Sequence, residues 1–416
     1  MKILVFLTTS FPAYGGEQFI ENEINYLSKH YDRVFIINNK PLNNLCRDTP
    51  SNIYVESAYN KESKRSVVNI LLSLFKFKKM LFSEILKVGI SHKKIIKMIS
   101  WIVNANSYHY AIKRIYQKYQ ISSNMKIDFY SYWGSPAALC LAKLKSDNNC
   151  FTFNRLHRYD IYEERQVDNY LPYRKYIYLN NHQFIICKSA EKYLLENYNF
   201  MNKSNISLSY LGTESIIKYK LSSNTYDFNV ISCSYVTKVK RVDLIAKAII
   251  LLASRLKNIK IGWTHIGGGS CLKEVEKILK QKPNNLDVNL LGELSNTEVK
   301  EHYKNYGYDM FINLSESEGV PVSMMEAQSA FIPVFATNVG GVSDIVNNDN
   351  GWLVPKDISP EEVTDMLFHT ITNPNCKDYL LSKANLSNKH WQKLFHAERN
   401  YPAFLDEVDR LSLRYD

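Results

Sequence analysis

Two glutamates eight positions apart, Glu318 and Glu326, bracket the start of a helix in the stretch SESEGVPVSMMEAQSAFIPVFATNVGG, residues 315–341. Glu318 falls in the loop leaving an apolar run, MFINL, and Glu326 about one turn inside the next helix, which is predicted to begin near Pro321. Proline suits an early helical position because it has no amide hydrogen to leave unsatisfied. The amides of Val322 and Ser323 then donate outward, where they and the helix dipole favour a phosphate. A carboxylate on each side accepts hydrogen bonds from hydroxyls. Hydroxyls, phosphate, hydroxyls is the outline of a nucleotide sugar. Read alone, the pair fits equally a solvated loop residue and a first-turn dipole partner, so the surrounding elements must decide.

Short apolar runs alternate with longer amphipathic segments along the chain, the pattern of βα units and parallel sheets. In the first half the strands are read at residues 2–7, 33–38, 126–133, 150–156, 183–189 and 206–212, with a helix over 18–29. A polar, turn-rich stretch interrupts the rhythm, and a second series follows: FNVISCSY, IKIGWTHIGGG, LDVNLLGEL, YDMFINLSESEG, IPVFATNVGG and NGWLVP. At 416 residues the chain exceeds what one hydrophobic core usually supports. The expected organisation is an N-terminal Rossmann-like domain over 1–212 with a basic helical insert at about 61–118, a linker at 213–227, a C-terminal domain over 228–390, and a helix at 391–416 returning to the N-terminal domain. In such α/β folds ligands bind at the carboxyl ends of strands, which is where the glutamate pair lies.

The stretch from Ser315 to Val354, with E-G-x-P-x-S-x-x-E-A, I-P-V-x-A-T-x-V-G-G and N-G-W-L-V, resembles the donor-site signature of family 4 glycosyltransferases, retaining GT-B enzymes. It is most similar to those that build bacterial capsule, exopolysaccharide or O-antigen chains. The resemblance is strong over about 227–355 and looser before it. It implies two doubly wound domains facing across a cleft. It implies that Glu318 contacts donor-sugar hydroxyls and Glu326 the nucleotide ribose, with Gly319, Val322 and Ser323 at the phosphates. SCSYVTKVKRVDLI resembles the family's diphosphate loop, which carries an arginine and, five residues later, a lysine. Lys240 matches the lysine; Tyr235 stands at the arginine position, leaving Lys238 or Arg241 to supply the second charge. Gly268, in HIGGG, and Leu291, in LLGEL, match loops near the nucleotide, although plain turn glycines read the same way.

In the first half, Gly15 and Gly16 precede a helix where the family's glycine-rich loop lines the site, and Glu17 and Gln18 suggest polar acceptor contacts or an ordinary helix cap. His157 matches the cleft histidine of related enzymes, and Asp160 follows it; a structural role is the other reading of both. No D-x-D metal motif occurs. The resemblance therefore implies a metal-independent glycosyltransferase with no cofactor, using a UDP- or GDP-linked sugar donor and a saccharide acceptor, with the departing phosphate taking the acceptor proton. The alternatives are an acceptor-free enzyme such as a 2-epimerase, or a non-catalytic nucleotide-sugar-binding partner.

The net charge of +11 is concentrated: between Lys61 and Lys118 thirteen lysines and arginines face only Glu62 and Glu84, and the rest of the chain is neutral in sum. With aromatics and leucines beside the lysines, the segment suits an anionic membrane carrying a lipid-linked acceptor, and equally a helix packed on its own domain with a solvated lysine face. No zinc-finger, RNP-like or helix-turn-helix pattern supports nucleic acid as the polyanion. Seven scattered cysteines without a C-x-x-C pair fit a reducing compartment. No apolar run approaches the length of a spanning helix, and MKILVFL reads as a buried strand rather than a secretory leader. The expected place is the cytoplasm, peripheral at the inner membrane face.

Overall fold

The computed structural model describes residues 1–13, 16–59, 66–89, 91–122, 125–148, 150–216 and 225–415. Gly15, the basic residues Lys61, Lys64 and Arg65, and positions 217–224 of the expected linker lie outside the described residues. Two compact units emerge, Met1–Tyr210 with Tyr401–Asp416, and Leu211–Asn400.

The apolar runs of the first unit form a wholly parallel sheet of seven strands: β1 (Lys2–Leu7), β2 (Arg33–Asn38), β3 (Ile53–Ser57), β4 (Lys126–Ser131), β5 (Thr152–Leu156), β6 (His182–Ile185) and β7 (Ile206–Leu208). Their order is β3-β2-β1-β4-β5-β6-β7. β1 and β2 are buried at every residue but the first, as befits strands covered by helices on both faces. β3 was not expected from the sequence, because IYVES, a sheet-edge strand with only Ile53 and Glu56 buried, carries no continuous apolar run.

The second unit contains β8 (Phe228–Cys233), β9 (Ile261–Ile266), β10 (Leu286–Leu290), β11 (Met310–Asn313), β12 (Val334–Thr337) and β13 (Gly351–Val354), again all parallel, in the order β10-β9-β8-β11-β12-β13. The direction of winding reverses between β1 and β4 and between β8 and β11. At such a switch point the loops leaving two adjacent strands diverge and open a crevice at their carboxyl ends.

The boundary falls earlier than expected, at Tyr210 and Leu211. Thr213 is tied to the end of the second unit: its N–H donates to Phe395 O at 2.9 Å, its carbonyl accepts from Ala397 N–H at 3.0 Å, and Trp391 Nε1 donates to its hydroxyl at 2.8 Å. Only glycine fits at 212, where a Cβ would lie 2.5 Å from Ala397 Cα. Trp391 is accordingly inside the helix Cys376–Leu394, and the last helix is Ala397–Ser412. Its Tyr401, Phe404, Leu405, Val408 and Leu411, at helical spacing, are buried in the first unit's core.

One polar link crosses that core. Arg155 on β5 and Glu23 on the helix Glu21–His30 meet at 2.5 Å with both side chains fully buried. Tyr130 Oη donates to Glu23 at 3.1 Å, and the guanidinium lies 4.2 Å from the Phe404 ring centroid. Burial raises the Glu23 carboxyl above its usual pKa, against the pull of Arg155. Removing one member strands the other in an apolar interior. Glu23→Ala is expected to lose about 3–5 kcal/mol of stability in denaturant unfolding, while an apolar replacement of both residues loses much less. Equal losses would show that packing, not charge pairing, holds this contact.

Candidate active site

In the second unit the loops leaving β8 and β11 meet at the switch point. The β8 loop ends in a short turn, Lys238–Lys240, and the β11 loop carries Glu318. Lys240 Nζ lies 2.6 Å from Glu318 Oε1, and Asn313 Nδ2 donates to the same oxygen at 3.3 Å. Glu318 is 5% exposed. An ammonium has three N–H donors, and Glu318 engages one.

Backbone contacts brace the two loops. Glu316 N–H donates to Val239 O at 2.8 Å, Ser315 N–H to Asn313 Oδ1 at 3.0 Å, and Thr337 Oγ1 to Ser315 O at 2.6 Å. Gly341 N–H donates to Gly319 O at 2.8 Å. Gly340, at φ +57°, passes so close that a Cβ would sit 1.9 Å from the Glu318 carbonyl oxygen. The glycine pair of the sequence is thus the floor on which Glu318 rests. Arg241 was a candidate for the missing cation. Its Nε instead donates to Leu314 O at 2.5 Å and its Nη2 to Lys356 O at 2.8 Å, so it clamps the loops together. Lys238 and Tyr235 are exposed.

The helix after Glu318 is Val322–Ser329, with Pro321 at the N-cap rather than inside, because its ψ of 114° is extended. Val322 and Ser323 are half-buried in its first turn, where backbone N–H groups have no acceptor within the helix. Glu326 is buried, and Asn296 Nδ2 donates to its Oε1 at 3.0 Å. Burial raises its pKa to about 7, opposed by that hydrogen bond and by Lys300. Gly268 lies in a loop folded under Ser234 and Val236, with its carbonyl accepting from Val236 N–H at 2.8 Å. Leu291 is 37% exposed after β10, and its N–H donates to His265 O at 3.0 Å.

The first unit gathers a second group of candidates around its own switch point. His157, at the end of β5, is buried among Phe19, Tyr132 and Trp133, with ring centroids 5.8, 4.8 and 4.5 Å away. Its Nε2 and the Tyr132 hydroxyl are both buried without a hydrogen-bond partner. Burial, with Arg155 nearby, lowers the imidazole pKa to about 3. The ring is therefore neutral near pH 7 and able to donate or accept, not to release a second proton.

Asp160 positions this histidine. Its Oδ1 accepts from His157 N–H at 2.6 Å and its Oδ2 from Gly134 N–H, while Arg174 Nη1 donates to its carbonyl at 3.0 Å. Burial raises its carboxyl to about 7 despite Arg174 and those N–H groups. Gly16 has φ +98°. Glu17 is not an acceptor contact: it is 4% exposed, and its carboxylate accepts from Thr9, Ser10 and Phe11 N–H at 3.0, 2.7 and 2.6 Å and from Trp133 Nε1 at 2.5 Å. It closes the β1 loop and fixes Trp133 against His157. Gln18 is exposed.

Sequence reasoning missed Asn313, Asn296, Trp133 and Arg174. Asn296 had a signal, since the S-N-T-E capping box places it in the first turn after the LLGEL loop. Arg174 and Trp133 had none, because their partners are distant in sequence.

The carboxyls of Glu326 and Asp160 hold their protons more tightly folded than unfolded. Each favours the folded state at low pH and loses that contribution as pH rises towards 7, from about 4.5 for Glu326 and about 3.8 for Asp160. Relative to the parent, Glu326→Gln should gain stability across that window in urea titrations. A pH-independent difference would mean that Glu326 stays ionised.

Residues 214–385 match the family model described as glycosyl transferases group 1. The O-antigen biosynthesis glycosyltransferase WbnH of Escherichia coli is 25% identical over 355 residues, 85% of this chain and 86% of that one. Sucrose-phosphate synthase from Thermosynechococcus elongatus superposes with a TM-score of 0.72 at 12% identity over 99% of both chains. Anabaena Alr3699/HepE in complex with UDP and glucose gives 0.67 at 14%, over 99% of this chain and 100% of that one. With its switch-point site in the segment that matches the group 1 glycosyl transferases, and with two parallel Rossmann-like units, the chain is a glycosyltransferase of GT-B fold.

Proposed function

We propose that this enzyme moves a sugar from a UDP- or GDP-linked donor to a saccharide hydroxyl, with retention of anomeric configuration and without metal, as a family 4 enzyme of bacterial surface polysaccharide synthesis. The observation that carries the reading is the Lys240–Glu318 contact at the β8/β11 switch point. It sets a cation for phosphate beside a carboxylate for sugar hydroxyls, next to a helix start. The name of the Escherichia coli relative favours O-antigen as the product class.

As the anomeric C–O bond to phosphate breaks, negative charge grows on the diphosphate. Lys240 and the N–H groups of Val322 and Ser323 stabilise it without rearranging. The acceptor oxygen bonds to the anomeric carbon on the same face, and its proton passes to the departing phosphate oxygen. Glu318 orients donor-sugar hydroxyls and Glu326 the ribose, with Gly319, Gly268 and Leu291 lining the nucleotide's place. His157, being neutral, positions a hydroxyl through Nε2 and takes no part in proton transfer; Asp160 holds it in place, and Gly15 and Gly16 admit the sugar. The acceptor is lipid-linked, and the basic region over residues 61–118 brings the enzyme to the anionic inner face of the cell membrane.

UDP or GDP should bind with the same affinity in excess EDTA as in magnesium, measured by calorimetry; loss of binding in EDTA would reject the metal-free site. Glu326→Ala should weaken free-nucleotide binding, whereas Glu318→Ala should mainly lower turnover of the intact donor. Each loses on the order of ten- to 150-fold, the worth of one charged hydrogen bond. Equal losses of nucleotide affinity in the two variants would contradict the division of roles.

A further inference from the structure

The helix Val67–Lys76 is amphipathic the wrong way round for a protein in water. Its fully buried side chain is a serine: Ser73 Oγ donates to Asn69 O at 2.6 Å and accepts from Asn106 Nδ2 at 2.8 Å on the long helix His92–Lys118. Val67, Val68, Leu71, Leu72 and Phe75, at helical spacing on the opposite face, are each more than half exposed. The next helix, Lys78–Val88, likewise turns a polar side chain inward, here beside apolar ones. Phe77, Met80 and Glu84 point inward, Glu84 accepting from Tyr170 Oη at 2.8 Å, while Phe82 and Leu86 stand 66% and 70% exposed. Of the three phenylalanines in this stretch, Phe77 is thus buried, while Phe75 and Phe82 are exposed.

Polar anchoring inward leaves the apolar ridge outward, uncovered by any of the described residues, a combination that marks an interaction surface. Its charge identifies the occupant. Lys78, Lys79 and Lys87 are exposed along the ridge, and the Lys78 ammonium lies 4.3 Å from the Phe75 ring centroid. Glu84, the sole acidic residue among the described positions 66–118, is turned away. Lys76 is half-buried, and burial lowers its pKa to about 8, so it does not belong to this collar. A second copy of the chain meeting this ridge face to face would bring lysines against lysines. An anionic bilayer offers hydrocarbon to the ridge and phosphate to the collar.

We propose that Val67–Val88 is a membrane-insertion hairpin whose Val68, Leu71, Phe75, Phe82 and Leu86 side chains enter the headgroup–acyl boundary while Lys78, Lys79 and Lys87 remain at the phosphates. This rests on the reading of an enzyme that works at a lipid surface, and adds to electrostatic docking a hydrophobic component that salt does not screen.

The full-length protein is sedimented with phosphatidylcholine vesicles containing or lacking phosphatidylglycerol, at low and high salt. The parent should bind anionic vesicles at low salt and retain a measurable part of that binding at high salt. Leu71→Ser/Phe75→Ser should lose on the order of tenfold or more in partitioning, since each buried apolar side chain is worth roughly ten- to a hundredfold, and should keep only a salt-sensitive remainder. Lys78→Gln/Lys79→Gln/Lys87→Gln should lose the salt-sensitive part instead. A Phe75→Trp variant should gain fluorescence quenched by brominated lipid. If the serine variant partitions like the parent and Phe75→Trp is not quenched, insertion is wrong while electrostatic docking stands. If the parent ignores all vesicles, both membrane readings fall. If it is a dimer that the serine variant dissociates, the ridge is a self-interface. UDP and GDP binding, measured in parallel, should be unchanged in every variant, which separates failure of the hairpin from failure of the transferase reading.

Discussion

Glu318 is nearly shut off from water and lies against a single ammonium, and the second unit is organised around that contact. A buried carboxylate is costly unless charge and hydrogen bonds reach it. Lys240 has to be delivered from β8, Asn313 from the end of β11, and the backbone beneath has to come within van der Waals distance. The left-handed Arg241, at φ 48°, is the device that allows this. It turns the chain out of the Lys238–Lys240 turn, and its guanidinium clamps Leu314 and Lys356 carbonyls from two further loops. Gly340 completes the floor where no side chain fits. The ion pair and its setting are thus mutually dependent, and the two charges are fixed in place without a ligand.

The first unit solves the opposite problem, how to present hydrogen-bonding groups without net charge. Glu17 is consumed by three backbone N–H groups and an indole, Asp160 is pushed towards protonation, and His157 is held neutral. What remains at the aromatic cage is an unpartnered imidazole nitrogen and a phenol. Such a surface suits an uncharged polyol, with rings to stack on and single polar atoms to fix hydroxyls. On the proposed reading, the second unit supplies the cation and carboxylates for phosphate and sugar hydroxyls, and the first supplies uncharged polar atoms.

Much of this was legible in the sequence. Twelve of the thirteen strands follow from apolar runs, because a parallel sheet buried on both faces writes itself as uninterrupted Val, Ile, Leu and Phe. Glu318, Lys240 and the Gly340–Gly341 pair were visible because short motifs encode loops at strand ends. What was not legible depended on distance along the chain. Arg241 read as a phosphate ligand since its acceptors, 73 and 115 residues away, are backbone carbonyls with no sequence signature. Glu17 read as an acceptor contact or a helix cap because nothing local says that a β1 loop will close on it. The unit boundary was misplaced for the same reason: Thr213 looks like linker until Trp391 is folded against it.

The basic hairpin shows a deeper limit of periodicity. A helical repeat of Val, Leu and Phe tells that one face is apolar, and the usual inference turns that face inward. Direction is decided by the partner. Here the facing surface of the long helix presents Asn106, and the neighbouring loop presents Tyr170, both of which need polar partners when buried. Ser73 and Glu84 supply them, while Val68, Leu71, Phe75, Phe82 and Leu86 stand outside. The hydrogen bonds that seat the hairpin on its domain and the apolar ridge it displays lie on opposite faces of the same two helices, so one sequence pattern serves both.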